Sequence, residues 1–329
     1  MKLQTMTTII LCFFSCLIYQ VSGQEKGART AENQALEFGA KTNVVFLVVD
    51  ENNAPVSDVL INAGFYMNGK REYGITGKTN YKGIFTAENT SVGEINYDVT
   101  KNGWYRHVDR IRFFGPGKKD TVIDGKWQPY GATYRIVLRR KKNPIPMYMK
   151  RVRRIFPVNG EFVGYDFVNG DWMAPHGNGE IPDILFKYEE QPTENFWTIK
   201  SILTMRFPNE ADGAYIREKI TGSEFPSDYL AQLQENYQKE WIFVYDMVAG
   251  KTMVNSSLKE NQYLVLRTRT QVDATGNLTT AHYTKIYGEL GYFRGTLFMQ
   301  YYFNPNPNDT NLEFALGKSL FENQRTNLP

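Results

Sequence analysis

Apolar and polar residues alternate along most of this chain with the two-residue period of half-buried strands, in short runs separated by Gly, Asn, Asp and Pro. The first strong run is 42–50 (TNVVFLVVD), and a turn at 51–55 (ENNAP) leads into a second at 56–65. Further strands are predicted over 84–86, after the turn KTNYKG at 78–83, and over 93–100 (GEINYDVT) and 133–138. Beyond these the pattern predicts strands at 160–167, 183–189, 197–207, 240–247, 263–272, 277–292 and 296–303, with an Asn169-Gly170 turn and a hairpin around 273–277. Only 227–238 (SDYLAQLQENYQ) has helical spacing: Ser227 is placed to cap, and Leu230 and Leu233 lie three apart.

The predicted class is therefore all-β: a β-sandwich over 42–142, then a larger antiparallel β-sandwich or barrel-like unit over 143–329 with one short helix. The boundary is set at 143–147 (NPIPM), where Pro144 and Pro146 impose extended backbone and interrupt a strand ladder. Residues 24–41 are polar and Ala-rich and read as a spacer or loosely held arm.

Composition adds the compartment. Lys2 followed by the apolar run 9–19 (IILCFFSCLIY) and by Val21-Ser22-Gly23 reads as a signal peptide over 1–23, cut before Gln24. The alternatives are a membrane anchor and a lipoprotein beginning at Cys16, although Leu17-Ile18-Tyr19 continue the apolar run where a polar tether would be expected. Export places the protein in the periplasm, on the cell surface or outside the cell, with no transmembrane segment in the mature chain. Cys12 and Cys16 both fall in the leader, so the mature chain has neither disulfide nor thiolate metal site, which excludes cysteine hydrolases and zinc ribbons. The formal charge of +3 becomes +2 without Lys2, too little for a general polyanion binder, so nucleic acid is not an expected partner. With 42% hydrophobic and 14% aromatic residues in 329, a core can form without covalent staples.

Asp50, Pro55, Val56, Thr79, Asn80, Gly83, Phe85, Gly93, Tyr97, Val99, Lys101, Gly103 and Trp104 fall in the order of the carboxypeptidase regulatory-like domain, which the chain resembles over about 42–140. Asn80 stands where that family often has Asp, and Trp104 where it often has Tyr. The resemblance implies a small transthyretin-like sandwich that serves as spacer, adaptor or binding module and carries no chemistry of its own. The remainder resembles a group of uncharacterised secreted bacterial proteins, through 143–148 (NPIPMY), 164–167 (GYDF) with 170–172 (GDW), 283–288 (YTKIYG) and 301–305 (YYFNP). That resemblance implies export and a bacterial source, and no activity.

Candidate chemistry is sparse. His107, His176 and His282 are the histidines, and no Gly-x-Ser-x-Gly elbow, phosphate loop or His-Glu-x-x-His accompanies them. The densest polar cluster is Asp166, Asp171, His176, Glu180 and Asp183, punctuated by Gly170, Gly177 and Gly179. Asp166, Asp171, His176 and Asp183 are the candidate metal ligands, calcium being the cation that such oxygen-rich loops favour; acid/base catalysis and plain loop organisation are the other readings. Trp127 and Trp172 have polar neighbours and are the candidates for stacking on a glycan, whereas Trp197 and Trp241 lie in apolar runs and are expected in the core. Basic stretches at 139–142 (RRKK) and 150–154 (KRVRR) are either a patch for an anionic envelope polymer or solvated strand ends with some arginines paired. The favoured reading is an exported, non-catalytic binding or assembly module of the bacterial cell envelope that contacts glycan or another envelope component. The alternatives are a hydrolase using the Asp/His loop and a purely structural envelope protein.

Overall fold

The computed structural model describes residues 30–67, 70–118, 121–192, 197–248, 250–251, 255–256 and 259–321; the leader expected over 1–23, its cleavage site and Cys16 lie outside them. The described residues are all-β, with several sheets and one short helix. That helix is not where the spacing put it. It is α1 (Ala31–Phe38), inside the presumed spacer: the Thr30 hydroxyl accepts from the Asn33 amide at 3.2 Å, and Ala35 is buried. The segment at 227–238 is irregular because its backbone bonds elsewhere. Ala231 donates to the Thr310 carbonyl, Leu312 donates to Tyr229, and Gln238 bridges Ala214, which leaves Leu230 and Leu233 exposed.

In the first half, β1 (Ala40–Val49) pairs antiparallel with β4 (Ile84–Ser91), and parallel with β9 (Ala132–Val137) and β8 (Lys126–Trp127), which itself pairs with β7 (Val122–Ile123). A second sheet is ordered β3 (Lys70–Lys78), β2 (Leu60–Met67), β5 (Glu94–Thr100), β6 (His107–Arg112). Alternate residues of both sheets, among them Val44, Phe46 and Val48 from β1 and Ile61, Ala63 and Phe65 from β2, share one core. The turn at 78–83 is built by its own residues. Thr79 Oγ1 donates to the Val56 carbonyl at 2.8 Å and accepts from the Val59 amide, and Asn80 Oδ1 accepts from Lys82 and Ile84. Gly83 has φ of 73° and sits so close to the Val48 carbonyl that a Cβ would lie 2.3 Å from it.

In the second half, one sheet is ordered β15 (Gly213–Glu218), β18 (Gln262–Val272), β19 (Leu278–Phe293), β20 (Thr296–Phe303), β10 (Ile145–Ile155), β21 (Phe314–Ser319). The other is β12 (Asp171–Trp172), β11 (Phe162–Asp166), β13 (Ile184–Gln191), β14 (Ile199–Arg206), β16 (Glu240–Met247), β17 (Asn255–Ser256). Leu297, Met299, Tyr301 and Phe303 of β20 meet Tyr165, Phe186 and Met205 in a shared core. The proline run is therefore the start of a long strand. The exposed Pro146 is accommodated because the register with β21 shifts between Ile145 and Met147. The opposite face of the β18–β19–β20 sheet carries two smaller clusters, one around Tyr215, Tyr237, Tyr263 and Tyr283 and one around Met147, Tyr302 and Phe314. No helix of the described residues is long and apolar enough to cross a membrane.

Candidate functional site

The β11–β12 hairpin ends in Asp166 and restarts at Asp171, and the Gly170 amide closes the turn onto the Asp166 carbonyl at 2.8 Å. Asp166 is buried. Its Oδ1 accepts from the amides of Val168 (2.8 Å) and Asn169 (3.2 Å), and its Oδ2 from those of Glu180 (3.0 Å) and Ile181 (3.1 Å). The side chain thus nails both ends of the loop together. Asp183 is wholly buried beside it and takes a fork from Arg269, Nε to Oδ1 and Nη2 to Oδ2, each at 2.8 Å, with the Phe167 amide and the Thr268 hydroxyl as further donors. Arg269 Nη2 also reaches Asp166 Oδ1 at 2.9 Å. Arg269 can turn inward because it sits at a break in the β18–β19 register with φ of 51°, in the left-handed region. Burial pushes both carboxyls up. For Asp166 the four backbone amides outweigh burial and hold it below its ordinary value; for Asp183 burial prevails, with the Arg269 guanidinium opposing it.

The structure therefore brings together Asp166 and Asp183 of the four expected ligands, and a guanidinium occupies the place a cation would take between them. Asp171 accepts from the amides of Trp172 and Asn178, with Arg154 at 3.9 Å, while His176 lies exposed on the loop. Among the described residues no three His, Cys, Asp or Glu side chains are grouped as a metal ion requires.

The rings expected to face solvent are buried. Trp127 is 0% exposed, since the short strand β8 turns it into the core beside Phe113 and Phe114 and its indole N–H donates to the Ser91 carbonyl at 2.8 Å. Trp172 is 3% exposed and packs against Phe156, Tyr165 and Phe186. Conversely Trp197, expected in the core, precedes β14 and is 66% exposed, and Trp241 is half-buried. The polar neighbours of Trp127 reported the turn around it and not the direction of its ring.

A second buried charge centre lies where the halves meet. Arg139 is buried, and its Nη1 donates to the carbonyls of Phe225 (2.6 Å) and Ser227 (2.5 Å) while its guanidinium stacks on Phe225 and Tyr229. Glu313 accepts from the Tyr105 hydroxyl (2.9 Å) and from the amides of Lys142 (2.8 Å) and Asn143 (2.6 Å), tying first half, connector and last strand together. The edge strand β6 is covered by the loop at 222–224, through the Val108 amide on the Gly222 carbonyl and the Glu224 amide on the Arg106 carbonyl. Lys285 is 1% exposed, and its Nζ lies 3.0 Å from Tyr287 Oη and 3.3 Å from Ser227 Oγ. Burial drives its amine well below the ordinary lysine range; Arg139 adds to the effect and Glu313 opposes it. The basic stretch at 139–142 is thus in part a joint, since Arg139 is inside it, Arg140 stacks on Trp104 and Lys142 on Tyr229.

No family model matches this chain. No curated protein matches it either. Among solved structures it is similar to 3-chlorocatechol 1,2-dioxygenase from Rhodococcus opacus 1CP, at 13% identity and a TM-score of 0.25, over 32% of this chain and 61% of that enzyme. It is also similar to the shaft pilin SpaA of Lactobacillus rhamnosus GG, at 11% identity and a TM-score of 0.22, over 82% of this chain and 94% of the pilin. These scores are too low for either likeness to bear on fold or function.

Lys285 had a signal in the sequence that strand reading passes over. In a period-two strand Tyr283, Lys285 and Tyr287 share one face, and a lysine between two tyrosines on a covered face is an anomaly. Glu313 had none, because its partners Tyr105 and Lys142 lie 208 and 171 residues away.

Proposed function

We propose that this chain is an exported, non-catalytic binding or assembly module of the bacterial cell envelope, in which a carboxypeptidase regulatory-like sandwich is locked onto a second β unit. The observation that supports it most is the joint. Arg139 Nη1 bonds the Phe225 and Ser227 carbonyls while its Nε holds Glu51, and Glu313 bonds Tyr105 across the halves, an arrangement that suits a rigid adaptor better than a hinged enzyme. The acid/base alternative is weakened by the loop, whose carboxylates already hold amides and Arg269. A glycan partner would have to use residues other than Trp127 and Trp172, because stacking on a sugar needs an open ring face.

The test is to express the full chain with its leader in a Gram-negative host, fractionate the cells, and assay the purified protein on polysaccharide and peptide panels. Recovery in the envelope or medium with no turnover is expected. Retention in the cytosol would sink the export reading, and turnover lost in Asp171→Ala or His176→Ala without loss of folding would promote the hydrolase.

A further inference from the structure

We propose that the cavity at the junction of the two halves binds a small organic anion, a carboxylate on an apolar body, with its head against Lys285 and its body against Phe225, Phe314 and Leu316. The cavity measures about 200 Å³ and opens between Tyr105 of the first half and the face of the β19–β20–β21 region. Its floor is a buried amine without a carboxylate partner. Lys285 is buried, and among the described residues no Asp or Glu oxygen lies within 4.0 Å of its Nζ. Glu313, the acid acting on it, has both oxygens committed to Tyr105, Lys142 and Asn143, while Glu51 is paired with the buried Arg139 at 3.3 Å.

A desolvated cation costs several kcal/mol unless something compensates it. The rings of Phe225, Tyr287 and Tyr302, with centroids at 4.4, 4.4 and 4.9 Å from Nζ, offset part of that cost. They cannot supply a countercharge. A carboxylate entering the cavity would, and it would do so at low dielectric, where the attraction is strongest. Lys219 also lines the cavity, and Gln300 on its wall accepts from Arg151 Nε at 3.0 Å and donates to Tyr302 Oη. Glu224 is the one acid on the lining. In size the space exceeds the roughly 150 Å³ that accommodates benzene in an apolar cavity, which fits a body of about ten heavy atoms. Serine acyl transfer is a poorer use of the same groups. Ser227 Oγ lies within 2.5 Å of Tyr287 Oη, Ser227 is wholly buried, and it does not line the cavity.

This inference deepens the binding half of the proposed function, and its failure would leave the fractionation and turnover results of that proposal standing. Calorimetric titration and thermal shift of the full mature chain with phenylacetate and hexanoate, against phenylacetamide and hexanamide, provide the test. Both carboxylates are expected to saturate, to raise Tm, and to bind at least about tenfold more tightly than their amides. Lys285→Met should abolish the preference for carboxylate, and Leu316→Trp, a change at a half-buried wall, should abolish binding of both classes. Absence of saturable binding up to about 10 mM, amides equal to carboxylates, or affinity unchanged in Leu316→Trp would each overturn the proposal. If Lys285→Met does not fold, the wild-type ratio of carboxylate to amide and the Leu316→Trp result decide it.

Discussion

The two buried charge centres of this protein are built from the same materials and end in opposite states. Around Asp166 and Asp183 there are two carboxylates and one guanidinium, and backbone amides supply what the guanidinium does not. Around Lys285 the neighbouring guanidinium of Arg139 is already paired with Glu51 at 3.3 Å and Glu313 is taken by Tyr105, Lys142 and Asn143, so aromatic faces are what meet the amine. The acidic excess of the first is absorbed by N–H donors already present in the chain, so the centre is closed. A buried amine has no equivalent remedy, because carbonyl oxygens stabilise a lysine only when they are aimed at it, and those of Phe225 and Ser227 are taken by Arg139. A carboxylate-rich loop can thus be pure architecture, while a lysine in a tyrosine-lined recess is where the molecule has room for something else.

The comparison breaks if the two centres respond alike to losing their cation. Arg269→Met leaves two buried carboxylates without their guanidinium and should cost about 3 to 5 kcal/mol, read as a drop in the urea midpoint. Glu313→Ala should cost about 2 to 3 kcal/mol, since the Tyr105 hydroxyl and two connector amides lose a charged acceptor in a buried place. Lys285→Met should go the other way. Stability should be unchanged or rise by about 1 to 2 kcal/mol, because a buried amine without a carboxylate partner is replaced by an apolar chain of similar length and Tyr287 keeps its bond to Ser227. A loss in Lys285→Met as large as that in Arg269→Met would mean that the lysine is as well paired as the arginine.

How much of this was legible depended on how local the cause was. The strand expected at 240–247 is β16 and the one at 296–303 is β20, residue for residue, because alternation is written within the strand itself. The hairpin around 273–277 could be read for the same reason: Asp273 Oδ1 accepts from the amides of Thr275 and Asn277, all within five residues. The helix was misplaced because a weak local signal at 227–238 lost to tertiary partners, while Thr30 and the Gly39 stop gave an unpromising segment its helix. The loop carboxylates were recognised as a cluster, yet the residue that defines them, Arg269, is 86 and 103 residues away and inward only through a register break. At the joint the same limit applies more strongly, since the Glu313 carboxylate takes its donors from Tyr105, Lys142 and Asn143, 170 or more residues away.

The smallest expected effect is the dependence of stability on pH, and it is carried by a half-buried histidine, His282, and a buried one, His107. His282 stacks on Phe303 beside Arg269, and burial followed by the Arg269 charge lowers its pKa against the Asn304 carbonyl and Asp183, which raise it. His107 stacks on Tyr97 at the joint, pressed against Gly222, and burial lowers it against the opposing charge of Asp109. A histidine whose folded pKa is depressed is neutral in both states above ~6.5. Below that value the unfolded chain takes up protons that the folded chain refuses, so stability falls with falling pH until the folded imidazoles also protonate. Asp183 and Asp212, both pushed up by burial, act with the opposite sign, because the folded state then binds a proton more readily than the unfolded one. Urea midpoints measured between pH 7.5 and 5.5 should therefore decline as the pH is lowered, and His107→Gln and His282→Gln should each flatten part of that slope. If both variants keep the full wild-type slope, the two histidines are not held neutral by their surroundings, and the packing argued for either centre is looser than described.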